Sequence, residues 1–183
     1  MAEIRIRNTN QRIKGDAEVG AFLNNQGVLY EHWQIDKLPQ NIQNKFILSD
    51  EEKSAILNTF DSEIKDLASR NGYRVWDVVA LSEATPNIDE LLKKFEQVHT
   101  HTEDEVRFFV DGQGHFWFNL EDGKTPVFNV LLQAGDLISV PANTKHWFDA
   151  GEHNPFVKTI RIFIDQSGWV PHYTGSKVEQ AFL

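Results

Sequence analysis

The chain of 183 residues contains no cysteine, which excludes disulfides, thiolate-ligated zinc and thiol catalysis together. Positive charge is also scarce. Eighteen lysines and arginines stand against 27 aspartates and glutamates, giving a formal net charge of −9. A general nucleic-acid surface or an anionic membrane surface needs a positive footprint, so neither partner is expected. An anionic substrate has to be held locally, by an arginine, a lysine or a metal. No apolar run approaches the roughly 20 residues of a membrane-spanning helix, and the Met1-Ala2-Glu3-Ile4-Arg5 start lacks an apolar signal core. Internal repeats and low-complexity tracts are missing as well. The expectation is a cytoplasmic protein, and a monomer, since no apolar helix face is obviously spare.

What is present suffices for one sizeable core: 40% of the residues are hydrophobic. The first half carries the helical signals. Glu3–Arg7 alternates and reads as an edge strand, Asp16–Asn25 as a short helix stopped by Gly27, and Val28–Gln34 as a strand. Ser49-Asp50-Glu51-Glu52 is a capping box. Behind it Ala55, Ile56, Phe60, Ile64, Leu67 and Ala68 share one helical stripe, ended by Asn71-Gly72. Tyr73–Leu81 reads as a strand. A helix from Thr85-Pro86-Asn87 follows, with Ile88, Leu91, Leu92 and Phe95 on its apolar side.

From Gln97 onward short strands alternate with turns. Strands are expected at Gln97–His101, Glu105–Val110, His115–Leu120, Val127–Leu132, Leu137–Val140, Lys145–Asp149 and Val157–Ile164. Asp111–Gly114 reads as a hairpin turn between the second and third of these, and a further turn is expected at Gly151–Pro155. Such spacing indicates a sandwich or barrel. The reading is a single domain over residues 1–183, mainly β with N-terminal helices (α+β): residues 1–95 pack on a barrel formed by 96–183.

The chemistry concentrates in Phe95-Glu-Gln-Val-His-Thr-His-Thr-Glu-Asp-Glu-Val-Arg-Phe-Phe-Val-Asp-Gly112. His99 and His101, two apart in a strand, point the same way. Glu105 can return to their pocket, and Arg107 shares its face. A second stretch, Gly135 to His146, breaks its strand at Pro141-Ala142-Asn143 and supplies a fourth donor, His146. Three imidazoles and a carboxylate suit Fe(II), Ni(II), Mn(II) or Zn(II) and leave coordination positions open, as a catalytic site requires. An arginine beside such a metal would favour a doubly charged, chelating enediol. Phe95, Phe109 and Phe148 are candidate apolar walls. His32, His115, His153 and His172 are not assigned to the metal.

The two stretches resemble the paired motifs of the cupin superfamily: His-x-His, three residues, Glu, six residues, Gly; then Gly, five residues, Pro, and His. Asn143 stands where glycine is usual. Together with the closing SGWVPHYTGS, they resemble the acireductone dioxygenase family over most of the chain. That resemblance implies a cupin or jelly-roll β-barrel and one Fe(II) or Ni(II) per chain on His99, His101, Glu105 and His146. It implies Arg107 as the catalytic group forming the substrate dianion. The aromatic closing segment Gly168–Gly175 reads on its own residues either as a packing tail or as a flap over the barrel mouth, with Trp169 in the pocket. Asp104 matches a position relaying metal-dependent conformational change, although its own chemistry reads as a surface acid. Val98 matches a position linked to metal incorporation. The implied partners are O2 and the acireductone 1,2-dihydroxy-3-keto-5-methylthiopentene of methionine salvage. Products would be 4-methylthio-2-oxobutanoate and formate with iron, or methylthiopropionate, formate and CO with nickel. The ligand set alone equally suits another metal-dependent cupin enzyme, such as a sugar-phosphate isomerase or a different dioxygenase, or a non-catalytic ligand-binding cupin.

Overall fold

The computed structural model describes residues 2–151 and 153–182. In chain order the strands and helices are β1 (Glu3–Ile6), β2 (Arg12–Lys14), α1 (Asp16–Asn25), β3 (Leu29–His32), α2 (Asp50–Thr59), α3 (Asp61–Asn71), β4 (Val75–Ser82), α4 (Ile88–Phe95), β5 (His99–Thr100), β6 (Glu105–Phe118), β7 (Phe128–Gln133), β8 (Asp136–Val140), β9 (His146–Asp149), β10 (Phe156–Phe163) and β11 (His172–Tyr173). Short 3-10 turns follow at Gln166–Trp169 and Val178–Phe182.

Strand β6 holds the architecture together. Its first part pairs with β8 and β10, and its second with β7 and β9, all antiparallel. Two sheets therefore share it: β3-β8-β6-β10-β4 and β11-β5-β9-β6-β7-β1-β2. One apolar core lies between them, with Phe109, Ile138 and Val157 from the first meeting Phe116, Phe118 and Phe128 from the second. A second core forms where α2 and α3 lay Ile56, Phe60, Ile64 and Leu67 over Val106, Phe108 and Val110. Each such fully buried side chain contributes about 1.5–3 kcal/mol. The result is the mainly β, cupin-type barrel with helices outside it that the sequence pattern implies.

Three expectations need correction. Asp111–Gly114 is no hairpin, because β6 runs unbroken through it for 14 residues. On β10, Lys158 faces Asp111 while Thr159 faces Phe109, so Val110 is an inserted residue, a β-bulge. The insertion reverses the side-chain alternation. Before it the odd positions Glu105, Arg107 and Phe109 point into the barrel; after it the even positions Phe116 and Phe118 do. Gly112 sits in this kink with φ +73, where turn chemistry looks the same in sequence whether the chain reverses or only bends.

The helix over residues 49–71 is two helices. Ser49 Oγ accepts from the Glu52 amide at 3.2 Å while Glu52 Oε1 accepts from the Ser49 amide at 2.9 Å, a capping box worth about 1 kcal/mol. At Phe60 (φ −106, ψ 18) the chain departs from helical geometry, and Asp61 and Glu63 open a new acidic first turn. The Phe60 ring is fully buried, edge-on to Phe108 at 4.8 Å. Last, β1 is no edge strand, since β2 flanks it. The expected turn at Gly151–Pro155 includes Glu152, which lies outside the described residues.

The bulge makes a differential prediction. A Cβ at Gly112 would lie 2.0 Å from the Phe156 carbonyl oxygen, whereas at Gly123, also at φ +73, nothing stands within 4 Å. Gly123→Ala should cost only the backbone penalty of about 1–2 kcal/mol. Gly112→Ala should cost clearly more, about 3 kcal/mol or above. Urea unfolding of both variants measures the difference.

Candidate metal centre

The pairing of β5 with β9 sets His99 directly opposite His146. Beyond β5 the chain is fixed by the Asn143 amide, which donates to the His101 carbonyl at 2.8 Å. Asn143 adopts φ +64 there, the left-handed conformation that asparagine tolerates in place of glycine. Glu105 then opens β6 on its inward face. His99, His101, Glu105 and His146 are all buried, and one ligand atom from each lies within 4.8 Å of the others. The structure thus gathers the four residues that the sequence singles out.

Hydrogen bonding sets which ring nitrogens face inward. His99 Nδ1 lies 2.7 Å from the Gln97 carbonyl and His146 Nδ1 lies 2.7 Å from the Thr144 carbonyl, so both protonated Nδ1 atoms donate outward and leave Nε2 lone pairs toward the centre. Glu105 divides its oxygens. Oε2 lies 2.7 Å from His146 Nε2 and 3.2 Å from His101 Nε2, while Oε1 accepts from Arg107 Nε at 2.9 Å. Lone-pair nitrogens facing a carboxylate oxygen at these distances call for a cation among them. The Glu105 contacts of 2.7 and 3.2 Å, with His99 within 4.8 Å of the other donors, leave the four atoms close enough to share one cation. The donor set therefore fits one divalent transition metal.

Burial pushes the His99 imidazole down to about 4, and nearby His146 adds to the effect. Burial alone would raise Glu105; its close contacts with His101 and His146, with the Arg107 charge, overcome it and hold the carboxyl well below its usual range. Neutral imidazoles and an ionised carboxylate are the forms that bind metal.

His99, His101 and Glu105 open into a cavity of about 330 Å³ with a mostly apolar lining, and His146 lies buried behind them. Phe95 and Phe148 line it, as expected, and so does Trp169 from the closing segment. Phe109 does not: it is fully buried in the core between the sheets, because its inward position on β6 lies deeper than the mouth. Trp169 lies beside two guanidiniums, 4.8 Å from that of Arg107 and 5.0 Å from that of Arg161. Its buried Nε1 has no hydrogen-bond partner among the described residues. Pro171 and Tyr173 complete that wall, with Tyr173 paired to His99 through β11.

Arg161 was not anticipated. It stands directly opposite Arg107 on β10 and is gripped by Asp77 at 2.8 and 2.5 Å. Its signal in the sequence is a charge at an inward position of a strand that otherwise buries its side chains. Asp104 is no surface acid. It is half-buried and accepts from Tyr73 Oη at 2.8 Å and from the Ala142 amide at 3.1 Å, tying the Glu105 loop to the His146 loop. Val98 is buried against Trp117 and Trp147. His115 and His153 lie away from the centre.

The protonation states predict acid sensitivity of the metal-free protein. His99 is lowered from its ordinary 6.5, so the unfolded chain binds the extra proton first and stability falls as pH drops from 6.5 toward about 4. Glu105 acts in the same sense: its depressed value contributes stability above 4.5 that is lost as pH falls further. The urea midpoint of metal-free protein should decrease from about pH 7 to about pH 5, and His99→Gln should flatten that decrease.

The chain matches the model of the ARD/ARD′ family over residues 4–171. It is 56% identical to acireductone dioxygenase of Geobacillus kaustophilus, over 98% of each chain, and 46% identical to that of Exiguobacterium sibiricum, over 99% of each. Its structure is similar to that of acireductone dioxygenase from Bacillus anthracis with cadmium ion in its active centre: TM-score 0.89, 47% identity, 94% of this chain and 98% of that one. The buried His99–His101–Glu105–His146 cluster thus sits in a chain that belongs to the acireductone dioxygenase (ARD/ARD′) family.

Proposed function

We propose that this protein cleaves the acireductone 1,2-dihydroxy-3-keto-5-methylthiopentene with O2, using one Fe(II) or Ni(II) per chain held by His99, His101, Glu105 and His146. The observation that carries the reading is the position of Arg107. Its guanidinium is bonded to Glu105 Oε1 and faces the same cavity as His99, His101 and Glu105. The donors alone suit other metal-dependent cupin chemistry as well, whereas a fixed positive charge beside them is what a doubly charged enediol calls for.

A divalent metal in this site would accept two adjacent substrate oxygens as a chelate and stabilise their negative charge. The side chains do the rest. Arg107 favours loss of the second enediol proton by holding positive charge where the dianion forms. Glu105 keeps that guanidinium in place, and the Trp169 ring lies against its other side. Arg161 adds a second positive charge, positioned by Asp77. Phe95, Leu81, Val157 and Phe148 offer an apolar slot for the thioether tail and exclude water from the reacting carbons. Asp104 and Tyr73 keep the two ligand loops in register.

The expected products are 4-methylthio-2-oxobutanoate and formate for the iron-loaded chain, and methylthiopropionate, formate and CO for the nickel-loaded one. Product analysis on separately loaded samples tests that assignment.

Arg107→Ala should retain metal and lower enediol-dependent oxygen uptake at least about a hundredfold, the scale of losing a charge-stabilising group. Arg107→Lys should recover part of the loss, since charge returns without the planar fork. Full turnover by the alanine variant with metal bound removes Arg107 from the mechanism.

A further inference from the structure

The outer face of the larger sheet carries a second concentration of charge, unrelated to the metal cavity. Register places Arg12, Arg5, Asn129 and Trp117 directly opposite one another across β2, β1, β7 and β6. Arg7 follows Arg5 by two residues and His115 precedes Trp117 by two, so all six share one face. They line an open cavity of about 340 Å³.

Like charges directly opposite on antiparallel strands repel. Compensation here is thin. Glu3 Oε1 pairs with Arg12 at 3.2 Å, but its other oxygen faces Lys14 at 3.7 Å. Asp149 also lines the cavity and accepts from the Gly151 amide. Arg5 meets only the neutral Asn10 amide, at 3.2 Å, and its buried Nε has no partner among the described residues. Arg7 has no carboxylate partner among them. Its guanidinium stacks 4.8 Å from the Trp117 ring and 5.5 Å from Phe182. Burial and the Arg5 charge both push Arg7 below its ordinary value.

The contrast with the metal cavity is instructive. There, Arg107 and Arg161 also face each other, but Glu105 and Asp77 neutralise them. On the outer face Arg5 and Arg7 have no such carboxylate partner among the described residues. Asn129 is buried, with Nδ2 3.0 Å from His115 Nδ1 and Oδ1 without a partner among the described residues. Exchanging its amide O and N lets the oxygen accept from the ring N–H and presents two donors instead. Burial keeps His115 low, against the charge of Asp149, so the imidazole is neutral near pH 7.

We propose that this face is a binding site for a small oxyanion, a phosphate or carboxylate group, held by Arg5, Arg7 and Arg12 with Asn129 as the neutral donor. A multivalent anion would supply the charge that Glu3 alone does not and would engage the open N–H groups of Arg5 and Arg7.

Calorimetric titration of metal-loaded, full-length protein with inorganic phosphate, and separately with acetate, tests the proposal. One site is expected, together with a phosphate-dependent rise in melting temperature. Tighter phosphate binding identifies a phosphorylated ligand; tighter acetate binding identifies a carboxylate. Arg5→Gln/Arg7→Gln should weaken binding about tenfold or more and abolish the rise, while leaving oxygen uptake unchanged. In phosphate-free, low-salt buffer the double variant should melt above the wild type, because the opposed charges are gone; should it not fold, Arg7→Gln alone carries the comparison. Equal phosphate binding by wild type and variant would place the anion elsewhere, at the metal centre for instance, and overturn the proposal. Failure of the wild type to bind phosphate, sulfate or acetate at millimolar concentration overturns it as well.

Discussion

A single buried carboxylate constrains this molecule more than any other group. Taking an ionised carboxylate out of water costs several kcal/mol unless every lone pair is met. Glu105 is buried at the start of the strand common to both sheets, and it is met on both sides: two imidazoles at one oxygen, a guanidinium at the other. Losing one of these partners leaves an uncompensated charge in the barrel. The positions of Arg107, His101 and His146 are therefore linked through Glu105. Positions further out, such as Trp169 against Arg107 and Asp104 between two loops, hold that arrangement from behind.

The bulge in β6 reconciles this polar centre with an apolar core. One strand must present ligands at its beginning and aromatic packing at its end, toward the same interior. Simple alternation carries Glu105, Arg107 and Phe109 inward, but by itself would turn the later aromatic pair outward. The inserted Val110 and the left-handed Gly112 reverse the alternation, so Phe116 and Phe118 fill the barrel floor beneath His146. Their neighbours His115 and Trp117 consequently face the outside. The outer arginine face and the inner metal face are thus two sides of one sheet, set by the same backbone defect.

Much of this was legible in the residues. The metal donors were readable because ligand chemistry is scarce, and His-x-His in a strand has one geometric consequence. The helix stripe, the capping box and the succession of strands were readable from periodicity. Five features escaped for identifiable reasons. Asp111-Gly112-Gln113-Gly114 has the composition of a turn, and only the partner strand's register separates a bulge from a hairpin. The break at Phe60 leaves the apolar stripe intact, so periodicity does not record it. Arg161 and the half-buried state of Asp104 depend on which strands become neighbours, a property of β4, β8 and β10 together and not of any local pattern. Phe109 was misplaced because a shared face does not distinguish a cavity wall from the floor under it.

Three imidazoles and one carboxylate converging on a single divalent ion underlie both the fold of the barrel mouth and its chemistry. X-ray absorption of the metal-loaded protein reads that arrangement directly. The prediction is one metal per chain with three imidazole nitrogens and a carboxylate oxygen at about 2.1 Å, completed by light-atom ligands that a chelating enediol displaces. A shell with two imidazoles or fewer, or one that does not change when the substrate is added, contradicts it.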